Sequence, residues 1–203
     1  MSRRNTARVN SHGFTLIELL IVFVVVGVIS TAAYTFFNTS INQYLALQKD
    51  SLVFGDLATQ SQRISNVLRG ASDITLAKDN EITVYAYFAP NDTYVSLIRY
   101  YKSTDGKVVF ADLTSMTANP PVGTPIISSK RTITILDSFA TVTGVNLFTY
   151  LDASGIPIAT PINDLHIIKG IRITMAVPSA SPVTGSNTTI SSQVSLRNRK
   201  TNL

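Results

Sequence analysis

The residues that could do chemistry are few. Glu18 stands five residues into an apolar run, the two histidines His12 and His166 lie far apart, and Asp92, Asp105, Asp152 and Asp164 are scattered among turn-forming residues. There is no cysteine, so disulfides and thiolate chemistry are excluded, and histidine alone falls short of a zinc ligand set. No Ser-His-Asp arrangement, phosphate-cradling glycine loop or dinucleotide fingerprint can be read. The aspartates suit turns, where Asp is chosen for hydrogen bonds to its own backbone; a calcium site built from loop acids stays open as the alternative. The chain therefore reads as a non-enzyme with no catalytic residue, no metal and no cofactor.

Glu18 needs more explanation than the rest. An ionised carboxylate at the centre of a bilayer helix costs on the order of 2.5–3.5 kcal/mol, so an intramembrane acid is by default functional and has a partner. The run from Phe14 to Phe37 holds 24 residues with Glu18 as its only charge. At about 1.5 Å per residue it spans roughly 36 Å, enough to cross a hydrocarbon core. Arg3, Arg4 and Arg8 precede it with no acid, which favours keeping that end in the cytoplasm and exporting the rest. A cleaved secretory signal is the rival. Its apolar core would be about 7–15 residues with a small-residue cleavage site after it, and Ser30-Thr31-Ala32-Ala33 is only an imitation of one.

The segment Gly13-Phe14-Thr15-Leu16-Ile17-Glu18 behind a short basic leader resembles the type III signal of type IV prepilins and pseudopilins. That resemblance implies cleavage between Gly13 and Phe14 by the prepilin peptidase, N-methylation of Phe14 and retention of the helix; His12 would leave with the leader. It also implies other pilin or pseudopilin subunits as partners through the N-terminal helix, an inner-membrane assembly platform, and the lipid bilayer. The location implied is the bacterial cytoplasmic membrane, single-pass, with the C-terminal domain outside the cytoplasm and incorporated into a pilus or pseudopilus. Beside the resemblance stands a physical reading. A cleaved Phe14 carries a cationic amine that methylation keeps charged, and Glu18 is its natural counter-charge on a neighbouring helix in low dielectric. The alternative is that Glu18 lies at the headgroup boundary, where a carboxylate suits the positive end of the helix dipole.

These residues must be positioned by longer elements. Ile41, Tyr44, Leu45, Gln48 and Leu52 recur at helical spacing, as do Val53, Leu57, Gln60, Ile64, Val67 and Leu68, and no proline occurs from Ser11 to Ala89. One helix of some 55 residues is expected, apolar all round in its first half and amphipathic in its second, with possible bends at Gly27 and Gly55. It should end at Arg69-Gly70, with the glycine free to take positive φ. The small residues from Gly27 to Ala33 permit close helix packing in lipid. Beyond Asp73 short β-rich runs follow: Glu81 to Phe88, Tyr94 to Lys102 and Lys107 to Leu113 around Thr104-Asp105-Gly106, Arg131 to Leu136, Val145 to Leu151 before Asp152-Ala153-Ser154-Gly155, Gly170 to Val177, and Thr188 to Arg197. Residues 118–129 and 178–187 read as loops. The fold class expected is α+β and pilin-like, a long membrane-spanning helix packed on a C-terminal antiparallel β-sheet domain. Its divisions are a leader (1–13), a membrane and filament-core helix (14–37), an amphipathic continuation (38–70), a β-rich domain (71–197) and a basic tail (198–203).

Downstream, Ile98-Arg99-Tyr100-Tyr101, Phe148-Thr149-Tyr150-Leu151-Asp152, Ile171-Arg172-Ile173-Thr174 and Val194-Ser195-Leu196-Arg197-Asn198 are similar in order to the J-type minor pseudopilins and W-type minor pilins. That implies a minor subunit that primes or joins a type IV pilus, type II secretion or competence filament. A tip-displayed adhesin or ligand-binding module, using Tyr85, Tyr87, Tyr100 and Tyr101, is one alternative; a membrane-anchored domain that never polymerises is another. The net charge of +5 falls to +2 without the three leader arginines, too little to argue for nucleic acid, and Arg197, Arg199 and Lys200 read as a solvated tail.

Overall fold

The computed structural model describes residues 13–140, 145–178 and 187–197. The leader up to His12, most of the loop expected over 178–187 and the tail from Asn198 lie outside the described residues. The first element is one helix, α1 (Leu16–Arg69, 54 residues), continuous through Gly27 and Gly55. The Thr31 and Thr59 hydroxyls donate to the carbonyls of Gly27 and Gly55, each at 2.9 Å. The chain divides into two compact units, and the boundary falls inside this helix, between Leu45 and Ala46.

In the first unit every large apolar side chain from Leu16 to Phe37 is exposed. Burying such a side chain is worth about 1.5–3 kcal/mol, so a stretch of this length requires lipid or other helices around it. It is long and apolar enough to cross a membrane.

The second unit carries the end of α1 and two antiparallel sheets. The helix stops where the Gly70 N–H is shared between the carbonyls of Asn66 (3.3 Å) and Val67 (3.1 Å), and Ala71 N–H reaches Leu68 at 3.1 Å. This tightened last turn leads straight into the first strand, so the expected left-handed glycine is not used. The positive-φ glycines of the described residues are Gly106 (73°), in the hairpin turn after Asp105, and Gly155 (78°), after the Asp152 turn.

The first sheet runs β1 (Asp73–Lys78), β2 (Glu81–Ala86), β3 (Ser96–Lys102), β4 (Val109–Ser115), β5 (Arg131–Leu136) in that spatial order. The second runs β7 (Pro157–Ile158), β6 (Phe148–Leu151), β8 (Gly170–Val177), β9 (Thr188–Ser195). The sequence reading missed β1 and β7. β7 is two residues long, and β1 contacts the core only through Ile74 and Ala77, which a bulge between Ile74 and Leu76 takes out of strict alternation. The stretch 118–129 is a loop as expected, closed by a bridge between Met116 and Pro125 and a short 3₁₀ turn at Ile127–Ser129.

The sheets are joined at the β1–β2 turn. Tyr150 on β6, fully buried, donates its hydroxyl to the carbonyls of Lys78 (2.8 Å) and Glu81 (3.2 Å), while Phe148 N–H reaches the Asp79 carbonyl at 2.9 Å. Leu57, Ile64 and Leu68 of α1 share one buried cluster with Ile82, Val84, Ile98 and Val109 of the first sheet and Ile171, Ile173 and Met175 of the second. The later part of the predicted amphipathic stripe, from Leu57 to Leu68, is thus the face that closes the core, whereas its earlier positions Ile41, Tyr44, Leu45 and Leu52 are exposed. Between its apolar positions Ser61 and Ser65 are also buried, both hydroxyls bonded to Ser192 of β9 at 2.7 and 2.9 Å.

Candidate assembly segment at the start of the helix

Gly13, Phe14 and Thr15 lead into the first turn of α1, with Phe14 exposed. Thr15 is the residue before the helix and Glu18 is its third residue, and the two close a reciprocal cap. Glu18 Oε2 accepts the Thr15 backbone N–H at 2.9 Å and its hydroxyl at 3.0 Å, while the Glu18 N–H points to Thr15 Oγ1 at 3.3 Å. This is the capping box of Ser/Thr-x-x-Glu sequences, and it satisfies donors that the first turn would otherwise leave bare. The acid therefore has a structural duty inside its own chain, in line with the helix-start alternative. A carboxylate accepts about four hydrogen bonds, so bonds on Oε2 leave capacity for a cation. Thr15 is the capping residue that the sequence reading passed over, and its signal was the three-residue spacing to Glu18 just ahead of an apolar run.

Gly13 stands in open space. A Cβ built there meets no heavy atom within 4 Å, so nothing among the described residues demands glycine at that position. Gly27 is equally open, and with Thr31 and Ala32 it lines a shallow notch on the helix between Phe23 and Thr35.

The other candidates disperse. Asp92 accepts from Ala89 N–H, Asp105 from Ser103 and Lys107, Asp152 from the N–H groups of Ser154 and Ile156, and Asp164 from His166 N–H; each caps its own turn. Tyr100 is buried at 1% exposure, whereas Tyr101 points to the opposite face of the sheet, so the four tyrosines do not form one surface.

On that outer face a charged row crosses four strands, Thr83, Arg99, Asp112 and Thr132 in register. Asp112, 4% exposed, takes the Thr132 hydroxyl at 2.6 Å and lies 2.9 Å from Lys130 Nζ and 3.7 Å from Arg99, which also binds Glu81 at 2.6 Å. Burial works to raise the Asp112 pKa, but the Thr132 hydrogen bond and the Lys130 and Arg99 charges more than offset it and leave it below the ordinary value. A lowered folded pKa means the stabilisation is present above the unfolded value near 4 and is lost as pH falls through the folded one. Asp112→Asn should cost about 1–2 kcal/mol at pH 7, less than a fully buried pair because Arg99 and Lys130 stay half in water. Chemical denaturation of parent and variant checks it: the gap should close below about pH 4, and a gap independent of pH contradicts it.

Comparison with known proteins brings the first element into focus. Residues 8–34 match the family model described as the prokaryotic N-terminal methylation motif. No curated protein matches the chain. The motif supports a protein of the type IV pilin and pseudopilin kind, and it implies processing by prepilin peptidase and assembly with other pilins. Together with the exposed apolar helix it supports a membrane-anchored, pilin-like protein.

Proposed function

We propose that the chain is a minor pilin or pseudopilin, a structural subunit that primes or joins a type IV pilus, type II secretion or competence filament after its leader is removed. The observation that carries this is the junction of a methylation motif with a capped helix start whose apolar segment, up to Phe37, is exposed and holds Glu18 as its one acid. In this reading the peptidase cuts between Gly13 and Phe14, the Phe14 amine is methylated, residues 14–37 pack in bilayer or filament core, and the β-rich domain stays outside the cytoplasm. Glu18 caps its own helix and offers its remaining acceptor capacity to the amine of a neighbouring subunit. The minor rather than major assignment rests on the J-type and W-type resemblance, whose fragments fall on β3, β6, β8 and the end of β9.

Coexpression with a prepilin peptidase, other pilin subunits and an assembly platform tests the reading. Mass spectrometry should find a product 13 residues shorter, starting at a methylated Phe14 and recovered with sheared filaments. Gly13→Val should block cleavage, and because a side chain at Gly13 meets nothing among the described residues, that block reports on the peptidase and not on folding of the described domain. A mature start after Ala33, or a cleaved chain absent from every filament fraction, overturns the proposal.

A further inference from the structure

Among the described residues strand β5 ends the first sheet as an edge, paired with β4 alone. Edge strands normally carry a protective charge, a proline or a cover, since their bare N–H and C=O groups recruit other strands. β5 carries Arg131 at its first position and then Thr132-Ile133-Thr134-Ile135-Leu136, five β-prone residues with no charge and no proline. Its two inward isoleucines, Ile133 and Ile135, are only partly buried against the core. Beside them, between α1 and the sheet, lies a cleft of about 180 Å³ walled by Ile64, Val67, Phe88, Tyr100 and Ile135, with Arg63 at its rim.

The charged residue that lines the cleft is Arg63, Arg131 opens the strand, and Asp137 follows its last residue. Arg63 and Arg131 are both exposed, and among the described residues neither takes part in an ion pair, whereas Arg99, Lys78 and Lys130 do. Arg131 instead lies over the Phe88 ring, 6.0 Å from its centroid. A strand edge with no further strand among the described residues, an apolar cleft on its inward side and two cations in no ion pair describe a complementary object. It is extended, alternates apolar side chains, and carries carboxylates.

We propose that the β5 edge and its cleft form a docking site for an extended acidic segment of a partner protein, which adds to the sheet as a sixth strand. Main-chain hydrogen bonds along Thr132 to Leu136 supply the pairing, one apolar side chain enters the cleft beside Ile135 and Val67, and flanking carboxylates meet Arg63 and Arg131. An incoming helix would leave the β5 backbone groups unmet, which is why the occupant is a strand. The site lies wholly in the second unit and goes beyond the filament reading, on which it does not depend.

The test uses the full chain in lipid nanodiscs and a labelled eight-residue peptide of alternating valine and threonine with Asp at one end and Glu at the other. Anisotropy should show binding, and amide exchange should slow at Thr132 to Leu136. Arg63→Glu combined with Arg131→Glu should weaken binding about tenfold, the sum of two exposed charge pairs, and a peptide with lysines at its ends should regain it on that variant. N-methylation of alternate peptide residues, tried in both registers, should abolish binding in one register while leaving every side chain in place. Absence of binding, protection on β9 in place of β5, indifference to the charge reversal, or full binding by both N-methylated peptides overturns the proposal.

Discussion

Glu18→Gln is expected to insert and be cleaved like the parent yet to reach sheared extracellular filament at least tenfold less, a loss of about 1.4 kcal/mol or more in joining. The substitution separates the two duties of this residue. Gln serves the capping box as well as Glu, so the bonds from Thr15 at 2.9 and 3.0 Å can be kept while the charge is lost. What disappears is the counter-charge for a neighbour's Phe14 amine, which in a low-dielectric setting is worth far more than the same pair in water. Thr15→Val is the converse: it removes the hydroxyl half of the cap, costs about 0.5–2 kcal/mol of helix start and leaves the charge. The ratio of filament to membrane-retained subunit should therefore fall sharply for Glu18→Gln and mildly for Thr15→Val. If the order reverses, Glu18 is a capping residue alone and assembly does not use its charge.

Leu68→Ala is expected to lower the stability of the second unit by about 3–5 kcal/mol, or the melting temperature by about 6–20 °C, because Leu68 is fully buried at the base of α1 and the cavity cannot collapse against two sheets. Leu52→Ala, two-thirds exposed on the same helix, should change it by less than about 0.5 kcal/mol. Near-UV circular dichroism of the chain in detergent micelles follows both. Equal losses at the two positions would mean that the helix is held by its own propensity and not by the core.

The contrast between those two leucines shows where the sequence stops. Both belong to apolar positions at spacings of three and four, and local periodicity assigns them equally to a helix face. One shares a buried cluster with residues such as Ile98 and Ile173 that arrive from distant strands, and the other stays exposed; that choice belongs to the tertiary fold. The same holds for Tyr100 and Tyr101. Alternation places them on opposite faces, but only the order of strands and the position of α1 decide which face is the interior.

What the sequence determined by itself is local. The helix from Leu16 to Arg69 follows from its periodicity and lack of proline, the β3–β4 hairpin from Asp105-Gly106, and the strands Arg131–Leu136 and Gly170–Val177 from their bounds of turn residues. The methylation motif, too, is contiguous and readable without a fold. The capping box had a local signal in the spacing of Thr15 and Glu18, which the sequence reading passed over. What only the tertiary structure decided joins residues far apart in the chain: two sheets locked together by Tyr150 on the β1–β2 turn, Ser61 and Ser65 buried because Ser192 meets them, and Asp112 buried with Lys130 and Arg99. Burial of a polar group is favourable only when its partner is present, and a partner 127 residues away leaves no trace in local pattern.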